Sequence, residues 1–149
     1  MANSIQYANS IAVPVVKLDT NELGGRVRIA FAEYEASAEQ STITMFAIPN
    51  GARLLSGAVS YDALGSSTTI SVGYAAHTNA DGTAQALDVD EFKAAAASTS
   101  AQSVVVLDTI ALGKNSVTDA NGDGVPVTVT LAGANGTGTI QLQMFYVID

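Results

Sequence analysis

The segment Asp119-Ala-Asn-Gly-Asp-Gly124 is the closest approach to a metal-binding motif in the chain. It places side-chain oxygens at alternate positions and a glycine at the sharp turn, as in the first half of a calcium-binding loop. The glutamate that closes such a loop is missing, since Thr130 stands at the twelfth position. Asn-Gly and Asp-Gly are also ordinary turn dipeptides. Two interpretations stay open, a calcium site at Asp119, Asn121 and Asp123 or a turn, and the pattern favours the turn.

Acid–base or nucleophilic catalysis needs titratable groups that converge, and the chain has one histidine, His77. It lies between a predicted strand and an acidic segment, so a solvent-exposed loop histidine is the favoured interpretation. A Ser-His-Asp arrangement stays open, because serines are abundant and could approach in space, but no nucleophile-elbow pattern supports it. The acids Asp88, Asp90 and Glu91 are explained as the first turn of a predicted helix. We predict that the protein is not an enzyme and has no catalytic, cofactor-binding or metal-binding residue.

The amino-acid composition limits the classes of partner that the protein is expected to bind. Six basic and fourteen acidic side chains give a formal net charge of −8, which disfavours binding to nucleic acid. Charged residues make up 13% of the chain, where about 25% is usual. Either the outward strand faces carry small polar residues, or the surface has patches that a partner covers, because interface cores are poor in charge. The absence of cysteine suits assembly in a reducing cytosol, and the N-terminus predicts neither export nor membrane insertion.

The elements that must position these residues are mainly strands. Alternating hydrophobicity and turn signals predict about eight extended segments. They are 11–18, 26–34, 43–47, 53–61, 68–75, 103–112, 125–131 and 139–148. Alternation in 26–34 predicts that Val27, Ile29 and Phe31 face inward. Segments 53–61 and 68–75 are predicted to be antiparallel neighbours, joined by the loop 62–67.

One segment predicts a helix. In Asp88–Ala97, Asp88 can cap the N-terminus, Glu91 follows three residues later, and four alanines supply helix propensity. We expect Val89 and Phe92 to anchor this helix to the strands. The whole pattern predicts an all-β fold, a two-sheet antiparallel sandwich of jelly-roll type with one short helix inserted. A seven-stranded immunoglobulin-like sandwich is the alternative.

Residues 1–149 are predicted to form a single domain. The first sixteen residues contain no charged side chain but several large apolar ones. We assign Ile11 onward to the fold and Met1–Ser10 to a candidate N-terminal arm that lies on a partner.

Three stretches together resemble the small structural proteins of tailed bacteriophages. They are the opening MANSIQYANS, the run IPNGARLLSGAVSYDALGSSTTISVGY, and an Asp-Gly loop followed by DEFKAAAA. The likeness is to head decoration, or cement, proteins and extends over about residues 1 to 112. It implies a jelly-roll protomer, trimeric, that binds the exterior of the assembled capsid and bridges subunits of the major capsid protein. Such a protein resides in the virion and, during assembly, in the host cytoplasm. The shared motifs are turns and strands, so no functional residue is carried over.

Other roles stay open at this stage. A head-fibre or tail component of the same virion is one, and a calcium-dependent enzyme or adhesin relying on Asp119, Asn121 and Asp123 is another. A glycan-binding sandwich is a third, and its stacking platforms would be the tyrosines Tyr34, Tyr61, Tyr74 and Tyr146.

Overall fold

The computed structural model describes residues 3–18, 24–107 and 117–148. In these ranges the chain forms one short helix and ten strands. They are α1 Ile5–Ser10, β1 Val27–Glu39, β2 Thr42–Ile48, β3 Arg53–Tyr61, β4 Thr69–Tyr74, β5 His77–Thr78, β6 Ala84–Gln85, β7 Asp88–Ala97, β8 Gln102–Val106, β9 Val125–Ala132 and β10 Gly136–Val147. Residues 108–112 of the predicted strand 103–112 lie outside the described ranges.

The strands build two four-stranded antiparallel sheets and one short hairpin. Sheet A has the order β1-β10-β3-β8, sheet B the order β2-β9-β4-β7, and β5 pairs with β6. The long strands pair in a nested way, β1 with β10, β2 with β9, β3 with β8 and β4 with β7. Successive long strands change sheet at every step except from β4 to β7, which are neighbours in sheet B, as in a jelly roll. The predicted all-β, two-sheet antiparallel sandwich is confirmed.

The core lies between the two sheets. Alternate residues of the central strands point into it and are fully buried, because side chains in a strand alternate between the two faces. The most enclosed include Ile140, Leu142 and Met144 on β10, Val59 on β3, Val72 on β4, and Val127 and Val129 on β9. Alternate residues of β10, from Ile140 to Tyr146, lie on the buried face.

The predicted inward face of β1 is wrong. Val27, Ile29 and Phe31 are 62%, 54% and 57% exposed, whereas Ala30 and Tyr34 pack against the core. The register with β10 decides this, because Ala30 lies opposite Met144, Ala32 opposite Leu142 and Tyr34 opposite Ile140. Alternation shows which residues share a face, but the neighbouring strand determines which face is covered.

Three further predictions about the elements are wrong. Asp88–Ala97 is strand β7, because pairing with β4 and burial of Phe92 in the core outweigh the helix propensity of the alanines. Ile11–Leu18 is not a strand, and the helix α1 precedes it, with Ser4 Oγ accepting from the Tyr7 amide at 3.2 Å. The segments 53–61 and 68–75 are not neighbours in one sheet, because β3 belongs to sheet A and β4 to sheet B.

Within the described ranges α1 has six residues, and no helix there could cross a membrane.

Candidate interaction surfaces

The loop between Thr118 and Val125 is held by hydrogen bonds to its own backbone and to neighbouring turns. Asp119 is buried, and its Oδ2 accepts from the Asp123 amide at 2.9 Å. The Asp119 amide donates to Asn50 Oδ1 at 2.9 Å, and the Ala120 amide donates to Thr78 O at 2.7 Å. The carboxylate is thus engaged in closing the turn, through a bond to the amide four residues further along the chain. No group of three or more His, Cys, Asp or Glu side chains suited to a metal ion occurs in the described part of the chain.

We expect Asp119→Ala to lower the free energy of unfolding by about 1–3 kcal/mol, because a charge-assisted hydrogen bond in a buried turn is lost. Asp123→Ala is the matched control, since the Asp123 side chain is exposed and its amide keeps the bond. Thermal unfolding with and without chelator measures both effects. A melting temperature that falls on chelation would contradict the turn interpretation.

His77 lies in the short strand β5 with its ring half-buried. Its Nδ1 donates to Ala75 O at 2.9 Å, and its ring packs edge-on against Tyr74 at a centroid distance of 5.1 Å. Tyr74 in turn contacts Phe92 at 6.0 Å. The prediction of a solvent-exposed loop histidine is therefore wrong, because His77 lies in a strand and its half-buried ring belongs to a small aromatic cluster with Tyr74 and Phe92. The contacts that the described residues give this ring are a carbonyl and an aromatic ring, which position it and do not activate a nucleophile.

The four tyrosines proposed as a glycan platform do not form one. Tyr61 and Tyr146 are buried in the core, and Tyr74 is packed against His77 and Phe92. The Tyr34 hydroxyl donates to Glu39 Oε1 at 2.8 Å. Stacking on a sugar needs an exposed ring face, so the aromatic support for glycan binding is absent from these positions.

The acids Asp88, Asp90 and Glu91 lie on the edge strand β7, so the helix dipole does not explain them. The Asp90 amide donates to Asp88 Oδ1 at 3.2 Å. Partial burial raises the pKa of Glu91, and the nearby charges of Asp88 and Asp90 raise it further. The ionised form of Glu91 is therefore less favourable in the folded chain than in the unfolded chain.

A pH-dependent stability difference follows for Glu91. The pKa of the Glu91 carboxyl is higher in the folded chain than its ordinary value of 4.5, so this group favours folding most when the pH is below 4.5. Its contribution to stability is lost as the pH rises through the pKa of the folded state. We expect Glu91→Gln to raise the melting temperature slightly at neutral pH. Well below pH 4.5 the variant and the parent should melt alike. A difference that does not change with pH would contradict this assignment.

A polar groove of about 590 Å³ crosses sheet A from Glu33 on β1 to Gln102 on β8. Its carboxylates already have partners, since Glu33 Oε2 accepts from Gln141 Nε2 at 2.7 Å and Asp62 Oδ2 accepts from the Thr139 amide at 3.0 Å. Ser60 Oγ donates to Ser103 Oγ at 2.8 Å. These groups hold the strands together, and the groove presents no convergent reactive set.

Among the described residues, two groups of neighbouring large apolar side chains are exposed. The first is the N-terminal segment, residues 3–18, in which Val13 is 98%, Ile5 74% and Val15 70% exposed. The second is the β1 apolar row, Val27, Ile29 and Phe31, on the outer face of sheet A. The lack of charge singles out the first surface in the sequence, but the predicted arm ends at Ser10, and the prediction that places Val13 and Val15 in the fold is wrong. Sequence reasoning missed the second because it assigned those side chains to the core.

No protein-family model matches the chain, and no curated protein matches it. Several solved structures share its fold. A chain from the capsid of Ralstonia phage GP4 is 20% identical, with a TM-score of 0.62 over 84% of this chain and 86% of that chain. A chain from the cyanophage Pam1 capsid asymmetric unit is 20% identical, with a TM-score of 0.54 over 85% and 88%. A chain from the acidic stable capsid structure of Helicobacter pylori bacteriophage KHP30 is 14% identical, with a TM-score of 0.53 over 82% and 87%. At these identities the likeness shows a shared fold.

Proposed function

We propose that the protein is a structural component of a bacteriophage virion, a decoration or cement protein on the exterior of the assembled head. It bridges neighbouring subunits of the major capsid protein and needs no catalytic chemistry. The sequence resemblance to head decoration proteins supports this, and so does the fold shared with chains from three phage capsid structures.

The observation that carries the proposal is the exposure of the N-terminal segment. Residues 3–16 carry no charge, and the large apolar side chains among them lie in solvent. They are Ile5, Tyr7, Ile11, Val13, Val15 and Val16. Exposed apolar stretches of this kind mark interaction sites, and each aliphatic side chain that a partner buries stabilises the complex by about 1.5–3 kcal/mol. We assign this segment as the arm that lies on the coat.

A decoration protein stabilises a shell by mass action. It binds the assembled lattice and not free subunits, so each bound copy shifts the equilibrium toward the intact shell. The net charge of −8 keeps the free protein soluble in the host cytoplasm and away from DNA. We propose a homotrimer, because a closed three-fold assembly matches a three-fold position of a capsid lattice.

Cosedimentation with empty mature heads tests the role. We expect stoichiometric binding to intact heads and none to free coat subunits. Binding to purified tails with none to heads would assign the protein to the tail, and absence of binding to either would overturn the virion role. Light scattering of the free protein tests the trimer, which requires the number of chains to be a multiple of three.

A further inference from the structure

Strand β1 forms an open edge of sheet A. Its pairing with β10 runs from Val27 to Ser37 without a register shift, and within the described residues β1 stands at the end of the sheet. The other edge strands are less regular or shorter. β7 and β2 have register shifts, and β8 extends only from Gln102 to Val106. A long, regular edge is the form that accepts another strand, because its backbone groups on that side are unpaired.

The outer face of this edge is apolar where it is most regular. The β1 apolar row follows the alternation of the strand, so its three side chains lie side by side along the edge. A strand that joined the edge would place its own alternate side chains directly beside them, with Cβ atoms about 4.5–5.5 Å apart. The most favourable neighbour is therefore a strand with the same apolar spacing.

The basic and the acidic residues of β1 lie toward opposite ends of the strand. Arg26 and Arg28 stand at its beginning, and Glu33 and Glu35 stand nearer its end. Both carboxylates are oriented by β10, since Glu33 Oε2 accepts from Gln141 and Glu35 Oε2 accepts from Thr139 Oγ1, each at 2.7 Å. A parallel copy of the strand would set like charges together. An antiparallel copy centred on the apolar row sets no like charges side by side, since the arginines lie on one face of the strand and the glutamates on the other.

We propose that β1 pairs antiparallel with β1 of a second copy, across a two-fold axis beside Ile29. In this register Val27 lies beside the partner subunit's Phe31, and Ile29 lies beside the partner subunit's Ile29. If the axis lay beside Ala30, Val27 would lie beside the partner subunit's Glu33. If it lay beside Phe31, Ile29 would lie beside the partner subunit's Glu33. Apolar side chains beside a carboxylate are less favourable neighbours, so the register at Ile29 is preferred.

The pairing joins the two copies of sheet A into one continuous sheet. It is isologous, because the same edge contributes on both sides, and it closes after two copies. It does not depend on the head-binding role. Where copies also form trimers through another surface, this contact joins two trimers, so the assembly contains an even number of chains.

A single cysteine tests the register, because the native chain has none. In the two-fold pair the Cβ atoms at position 29 come close enough for a disulfide after small adjustment. We expect Ile29→Cys to form a disulfide-linked dimer on mild oxidation. The control is Val105→Cys on the opposite edge strand β8, which is 61% exposed and should not cross-link. A chain that stays uncross-linked at position 29, as it would if its own N-terminal segment covered β1, overturns the proposal.

A second experiment introduces a charge at the proposed contact, instead of a cross-link, and measures the number of chains in the assembly. We expect light scattering to give an even number of chains for the parent, and Phe31→Lys to raise the concentration needed for pairing at least about tenfold, because the lysine meets the partner's apolar row. Val105→Lys should leave it unchanged. One or three chains in the parent, or equal effects of the two variants, overturns the pairing. Head binding is scored separately by cosedimentation, so failure of the pairing and failure of the proposed function are distinguishable.

Discussion

The double variant Val13→Asp with Val15→Asp should lose binding to phage heads by at least about a hundredfold while its melting temperature stays that of the parent. Both side chains lie in solvent, at 98% and 70% exposure, so the free fold does not depend on them. In the proposed complex each valine is buried by the coat, and its loss removes about 1.5 kcal/mol or more, which together corresponds to roughly a hundredfold in affinity. The introduced carboxylates add a desolvation cost.

The measurement is cosedimentation over a range of protein concentrations, accompanied by thermal unfolding of the free variant. Leu87→Asp is the matched control, because Leu87 is also an exposed apolar residue, at 50%, but lies outside the N-terminal segment and β1. It should bind heads as the parent does. Equal weakening by the control would mean that added negative charge, and not the arm, decides binding. Undiminished binding of the double variant would remove the arm from the contact.

Gly73→Ala should strongly destabilise the sandwich, lowering the free energy of unfolding by about 3 kcal/mol. Gly73 lies on β4, where β7 passes with register shifts on either side of Val72. A Cβ at this position would overlap the Asp88 carbonyl oxygen and lie 2.6 Å from the Val89 carbonyl carbon. These are backbone atoms of the neighbouring strand, so the clash is relieved only by moving β7 and with it the buried Phe92.

Chemical or thermal unfolding measures the effect, which corresponds to roughly 6–12 °C in melting temperature for a chain of this size. Gly82→Ala is the control, because its Cβ would meet nothing within 4 Å and only the positive φ of +86° is unfavourable. We expect this control to cost about 1–2 kcal/mol. A Gly73 variant as stable as the control would mean that β7 does not approach β4 as closely as the structure has it.

The turn at Asp119–Gly124 shows how much of a local structure the sequence pattern can predict. The pattern has turn dipeptides and lacks the closing glutamate, and the structure gives it a carboxylate-closed turn. Its partners Asn50 and Thr78 could not be foreseen, because they lie far away along the chain. His77 and the tyrosines show the reverse case. Their residue types suggested chemistry, but burial in the core or in the aromatic cluster removed Tyr61, Tyr146 and Tyr74 from any binding surface.

The amino-acid sequence by itself determined the all-β class, most of the strand positions and the uncharged N-terminal segment. These follow from alternation, turn residues and charge, which act over a few neighbouring positions. Only the tertiary structure decided that Asp88–Ala97 is a strand, that β3 and β4 belong to different sheets, and that Val27, Ile29 and Phe31 face solvent. Each depends on which distant strand lies alongside, because pairing and burial outweigh local preference.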